Sequence, residues 1–212
     1  AISLKGFESK KDAFLVKQLR QAGAIIVAKS NLHEFAIWGE TISSIQGQTL
    51  NPYDLTRTPG GSSGGTGAAI AADFGIVGIG TDTINSVRSP SSANSLVGIR
   101  PTIGCVSSGG IVPYSMTQDT AGAICRTVED AARTLSVISG YDPEDEVTAW
   151  DFPHRDVDYA ADLEKSTLSG KRIGVLRSFF GKEEINQEVN AVVNAAITQM
   201  KTAGAIDRDI KE

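Results

Sequence analysis

Five glycines fall within the eight residues from Gly60 to Gly67, with Ser62 and Ser63 between them. Glycine at this density lets backbone N–H groups approach a neighbouring chain or a ligand closely. The preceding stretch 39–61 is polar and contains Asn51-Pro52, Pro59 and Gly60-Gly61, so it predicts a loop that delivers the chain to the glycine tract. Beyond the tract, alanine-rich Thr66 to Phe74 predicts a tightly packed helix, and Ile76 to Gly80 a short buried strand. A second serine-containing turn follows from Asp82 to Ser89.

Helix and strand signals alternate along the rest of the chain. Ala13, Phe14, Val16, Leu19 and Ala22 recur at helical spacing up to Gly23, a natural stop, and Ala24 to Ala28 then reads as a buried strand. Val97 to Arg100 predicts a short strand, and Gly104 to Val112 a glycine- and serine-rich loop or hairpin. Thr127 to Ile138 predicts an amphipathic helix with Glu129 and Asp130 in its first turn, where they complement the helix dipole. Lys171 to Leu176 reads as a strand, and Ile185 to Ala203 as a long helix closed by Gly204. After Gly204 only Ala205-Ile206 is apolar, so a strand expected there looks interrupted. This alternation predicts an α/β layer fold. A signature core at about 24–140, a polar connection at about 141–169 and a strand–helix unit at about 170–204 divide the 212 residues, read as one partial domain.

Charge and composition exclude several functions. A net charge of −5, with no cluster of Lys or Arg, argues against nucleic acid or an anionic membrane as partner. Two histidines, His33 and His154, are too few for a multi-histidine metal centre. Cys105 and Cys125 lie in different apolar neighbourhoods and read as small buried hydrophobes. No apolar run is long enough to span a membrane and no signal layout opens the chain, which leaves the cytoplasm as the default location.

The glycine tract fails as a phosphate cradle, since no Lys-Ser/Thr pair follows Gly65. It matches the spacing of a hydrolase nucleophile elbow at Gly60 to Gly64, but the residues before it are loop-like and only His154 could complete a triad. In the second turn, Gly80-Thr81-Asp82-Thr83-Ile84-Asn85-Ser86, a buried strand runs into a polar turn able to aim successive backbone N–H groups at one point.

Taken together, Gly60-Gly61-Ser62-Ser63-Gly64-Gly65, Gly80-Thr81-Asp82-Thr83 leading to Ser86, and Val97-Gly98-Ile99-Arg100-Pro101-Thr102 resemble the amidase signature in order and spacing. Flanking Gly23-Ala24-Ile25-Ile26, Lys29-Ser30-Asn31, Asn51-Pro52, Gln118-Asp119 and Arg126 to Ala131 agree. The resemblance implies an α/β/α sandwich with a mixed central sheet, here in part. It implies amide C–N hydrolysis without a cofactor, with Ser86 as acyl-forming nucleophile and Ser62, on a cis peptide after Gly61, as the bridging serine. Backbone N–H groups of Thr83, Ile84 and Asn85, with Ser86, match the family's oxyanion hole, and Ala36 lies in its substrate-facing loop. Asp82 and Arg88 are expected to buttress the turn.

Two departures accompany the match. Ile84 and Asn85 stand where many relatives carry two glycines, so Ile84 must keep a negative φ or accept strain. The family's catalytic lysine aligns just before Ala1, so the chain alone is expected to be inactive; Lys29 reads as the end of a strand. The expected partner is a small-molecule amide, a homodimer is left open, and residues that would read a glutamine substrate fall beyond Glu212. An amidase-fold protein that binds or assembles without activity is the alternative.

Overall fold

The computed structural model describes residues 1–154 and 157–210, with the side chains of 152–154 outside the description; the expectation for the His154 side chain lies there. The chain divides into two compact units, Ala1–Ala161 and Asp162–Glu212.

In the first unit, helix α1 spans Phe14–Gln21 and buries Leu15. It ends in the motif that glycine favours: Gly23 has φ +87°, its N–H reaches the carbonyl of Arg20, and the Ala24 N–H reaches that of Leu19. Strands β1 (Ile42–Ser43) and β2 (Gly47–Gln48) form a small antiparallel hairpin inside the region expected to be loop. Helix α2 follows at Gly64–Ala71, strand β3 at Val77–Asp82, helix α3 at Arg88–Ala93 and strand β4 at Val97–Gly98. Strand β5 (Thr120–Cys125) and helix α4 (Val128–Ile138) follow, and a 3-10 helix spans Glu146–His154. Thr127 caps α4 by accepting the Asp130 N–H at 3.0 Å, which satisfies one of the free amides at a helix start.

The sheet has the order β3-β5-β4, with both pairs antiparallel. Burial along β3 alternates, so Gly78, Gly80 and Asp82 share the covered face. Two of these are glycines because α2 lies directly on them. A Cβ at Gly78 would stand 2.4 Å from the Thr66 methyl, and one at Gly80 2.8 Å from Ser63 Oγ. This close seating places the start of α2, with Ser62 and Ser63 just before it, against the strand that leads to Ser86. On the opposite side, Leu15 of α1, Leu135 and Ile138 of α4, Cys105, Val106 and Ala121 form the main apolar core. Both cysteines are buried and free, as expected, and burial pushes each thiol pKa up.

In the second unit, strand β6 (Arg172–Val175), helix α5 (Gln187–Thr202) and strand β7 (Ile206–Asp209) form a strand–helix–strand unit whose two strands are parallel. Gly204, at φ +94°, closes α5 in the same way that Gly23 closes α1. The strand after Gly204 therefore forms in spite of its polar sequence, because β6 supplies a complete ladder for its backbone. The architecture is α/β, with antiparallel pairing in one unit and parallel pairing in the other.

One strand expectation needs correction, and one strand was not anticipated. Ala24–Ala28 forms no strand, and Ile25 and Val27 are 87% and 76% exposed. No neighbouring strand pairs with this segment among the described residues, and β-branched side chains alone do not make a ladder. Lys29, expected at the end of that strand, accordingly sits in irregular backbone. Conversely β5, with all six residues buried at the centre of the sheet, carries no strong strand signal in Thr-Ala-Gly-Ala-Ile-Cys.

Candidate active site

Ser62 lies in a loop held almost without charge. The Thr41 hydroxyl, fully buried, donates to the Gly60 carbonyl at 2.7 Å, with the Ser62 carbonyl at 3.2 Å, and accepts the Gly64 N–H at 3.0 Å. The His33 N–H donates to the Ser62 carbonyl at 2.9 Å. From the other side, Asn94 Nδ2 donates to the carbonyls of Pro59 and Pro90, each at 2.8 Å, which ties this loop to α3. Glycine makes the packing feasible: a Cβ at Gly65 would stand 2.2 Å from the Asn31 carbonyl oxygen, and one at Gly61 2.7 Å from the Gly39 carbonyl carbon. The Gly61–Ser62 peptide bond is cis. Ser62 is 1% exposed, and its hydroxyl has no hydrogen-bond partner among the described residues.

Ser86 lies in the turn between β3 and α3, and a buried carboxylate shapes that turn. Asp82 Oδ2 accepts the Val87 N–H at 3.0 Å and Arg88 Nε at 3.2 Å, while Oδ1 faces Arg88 Nη2 at 3.1 Å and Arg100 Nε at 3.3 Å. Burial of Asp82 works against its charge, but the Arg88 guanidinium and the Val87 and Arg88 amides outweigh it and hold the carboxyl below its ordinary range. Asp82 and Arg88 thus take the buttressing place expected of them. Arg88 also reaches the Ile84 carbonyl. Among the described residues the left-handed non-glycine positions are Phe35, Ala36, Thr41, Asp73 and Ser95, so Ile84 and Asn85 turn the chain without entering that region. Ile84 is 70% exposed.

One backbone bond links the two serine segments directly, from the Ser63 N–H to the Ser86 carbonyl at 3.3 Å. Ser63 Oγ also bridges the N–H and C=O of Thr81, at 3.2 and 3.3 Å, anchoring the start of α2 to β3. Thr83 and Ala36, from separate loops, line one cleft of about 200 Å³ together with Val112, Tyr114, Met116 and Asp119. A more open hollow of about 500 Å³ is bordered by Lys29, Ser30 and Asn31, and neither Ser62 nor Ser86 lines either space. Among the described residues, no three His, Cys, Asp or Glu side chains are grouped to hold a metal ion. No helix among them is long and apolar enough to cross a membrane.

The profile of the family described as Amidase matches residues 1–211. The chain belongs to the amidase family. It is 44% identical to the glutamyl-tRNA(Gln) amidotransferase A subunit of Microcystis aeruginosa over 98% of this chain and 42% of that protein. The corresponding protein from Thermotoga maritima has a solved structure that superposes with a TM-score of 0.92 at 37% identity, covering 99% of this chain and 45% of that one. Native peptide amidase from Stenotrophomonas maltophilia gives 0.87 at 40% identity, with 97% and 42% covered. This amidase-family chain therefore spans about two fifths of the length of the relatives it matches.

The structure brings Ser62, Ser86 and the Thr83–Asn85 turn into one neighbourhood and sets Ala36 and Thr83 on the same cleft. Four supporting residues escaped the sequence reading: Thr41, Asn94, Arg100 and Asp119. Arg100 and Asp119 stand inside the signature segments, which was the available signal. Thr41 and Asn94 carried none, because a buried threonine or asparagine is marked only by the backbone groups it meets.

Proposed function

We propose that the full-length protein hydrolyses a carboxylic amide C–N bond through an acyl-enzyme on Ser86. The Ser86 hydroxyl adds to the amide carbonyl carbon, and its proton passes through Ser62 towards a lysine that the resemblance places N-terminal to Ala1. The C–N bond breaks, the amine leaves carrying a proton, and water then attacks the Ser86 ester to release the acid. The observation that carries this reading is the Ser62 hydroxyl, buried beside the Ser86 turn and without a hydrogen-bond partner among the described residues. A buried donor without an acceptor costs about 1–3 kcal/mol, so its retention fits a proton relay completed by another group.

Support for the oxyanion site comes from hydrogen-bond accounting. Asp82 takes the Val87 and Arg88 N–H groups, yet among the described residues Ile84, Asn85 and Ser86 donate their N–H groups to no protein acceptor. Amides of one turn without a protein acceptor suit a developing negative charge on the substrate oxygen. In the full-length protein a fluorophosphonate probe should label Ser86, and S86A should abolish labelling. Undiminished labelling of S86A would overturn the assignment, and no hydrolysis of any simple amide would favour a non-catalytic amidase-fold protein instead.

A second reading, the glutaminase part of a transamidation complex, is favoured by the 44% identity to an amidotransferase component. Ammonia release from glutamine by the full-length protein, compared with release from simple aliphatic amides, separates it from a general amidase.

A further inference from the structure

Thr83 follows the last residue of β3 and Asp119 precedes the first residue of β5. The ladder ends with Asp82 opposite Thr120, so Thr83 and Asp119 face each other one step beyond it. There Thr83 Oγ1 donates to Asp119 Oδ1 at 2.5 Å. The second carboxylate oxygen is occupied by the loop before it: Oδ2 accepts the Tyr114 N–H at 2.6 Å and the Ser115 N–H at 2.8 Å. Tyr114, Ser115 and Met116 belong to the cleft wall, as do Thr83 and Asp119 themselves. A parallel tie runs beneath, where Arg100 pairs with Asp82 at 3.3 Å and donates to the Gln118 carbonyl at 2.9 Å. One carboxylate thus holds the turn that leads to Ser86 with one oxygen and the cleft-wall loop with the other.

We propose that Asp119 is a positioning residue that locks the Thr83–Ser86 turn to the cleft-wall loop at 113–119, so that an acyl group filling the cleft and the amides facing its carbonyl are set by the same side chain. This inference rests on the reading of Ser86 as nucleophile. Thr83 is the relay, because its hydroxyl is bound to Asp119 while its backbone belongs to the turn. Loss of the Thr83–Asp119 bond lets the turn shift while every backbone N–H of the turn is retained. The expected loss is therefore in turnover rather than in substrate affinity.

The test uses the full-length protein, an aryl amide substrate and the fluorophosphonate probe, with T83V, T83S, D119A and T83V/D119A. T83V leaves Asp119 bonded to the loop amides and is expected to lower kcat about 10-fold, with KM within about twofold. T83S restores the hydroxyl and is expected to recover most of that loss. If D119A folds, the double variant is expected to be no slower than D119A alone, since both changes break one connection. T83V carries the test by itself if D119A does not fold. Wild-type kcat in T83V, no recovery in T83S, or multiplicative losses in the double variant would each overturn the inference while leaving Ser86 in place. Failure of the probe to label the unaltered protein would instead remove the Ser86 reading and this inference with it.

Discussion

The Ser62 loop is held by hydroxyl and amide hydrogen bonds and by backbone packed against glycine, whereas the Ser86 turn is held by a fully buried carboxylate between two guanidinium groups. The first arrangement depends on volume: a Cβ at Gly61 or Gly65 would enter neighbouring backbone, which would have to move. The second depends on charge, since only an ionised Asp82 pairs electrostatically with both guanidinium groups and keeps both oxygens free to accept. Two neighbouring serines are thus fixed by physically different means. Perturbations of volume and of charge should therefore separate the two segments.

The largest expected effect is from D82A, which leaves the Val87 and Arg88 amides without an acceptor and the half-buried Arg100 without its carboxylate partner. Because Arg88 is 52% exposed and can turn to water, the loss should be near the low end for a broken buried pair, about 3 kcal/mol in urea unfolding of the full-length protein. A loss below about 1 kcal/mol would show that the turn does not depend on its charge. Next comes G65A, which tests the volume side. Alanine gains about 1 kcal/mol of helix propensity over glycine, but the Asn31 backbone must retreat, and a net loss of about 2 kcal/mol is expected. T41A should cost about 1.5 kcal/mol by removing the acceptor for Gly64 and the donor to Gly60, with T41S recovering most of it.

Acid sharpens the contrast with the smallest expected effect. The Asp82 pKa is lowered in the folded state, so ionisation of this group favours folding. Its contribution is complete above the unfolded aspartate value of 3.8 and is lost as pH falls through the lower folded value. Other carboxyls, Asp145 among them, are also lowered and contribute to acid sensitivity. The measurement is therefore a difference: between about pH 5 and pH 2, D82N should lose less stability than the unaltered protein, while T41A should lose as much. Identical acid limbs for D82N and the unaltered protein would break the comparison.

Legibility in the sequence followed the range of the interaction. The α1 and α4 helices were readable because their apolar positions recur at helical spacing and their ends carry Gly23 and Thr127. The serine segments were readable because the glycine tract and Asp82–Ser86 turn are written in consecutive residues. Thr41, lying 19 residues from Gly60 and bonded to it, was not. Nor was Asp119, whose partner Thr83 is separated from it by 36 residues. Helix α3 was also missed, since Arg-Ser-Pro-Ser-Ser-Ala has little helical character of its own and begins where Asp82 collects the Val87 and Arg88 amides.

Strands show where the sequence stops deciding. Ile25-Ile26-Val27 has the side chains that favour a strand and forms none, while Thr-Ala-Gly-Ala-Ile-Cys becomes the buried centre of the sheet. A helix satisfies its backbone within itself, so local residues suffice to specify it. A strand satisfies its backbone only on its neighbours, and Gly122 can serve at the centre because a Cβ there would stand 2.0 Å from the Ile99 carbonyl oxygen. By itself the sequence determined helices α1, α2, α4 and α5, the Asp82–Ser86 turn and the glycine-bearing loop. Which segments became strands, and which distant side chains came to hold the two serines, was decided by the tertiary structure, because those hydrogen bonds and contacts exist only once the elements meet.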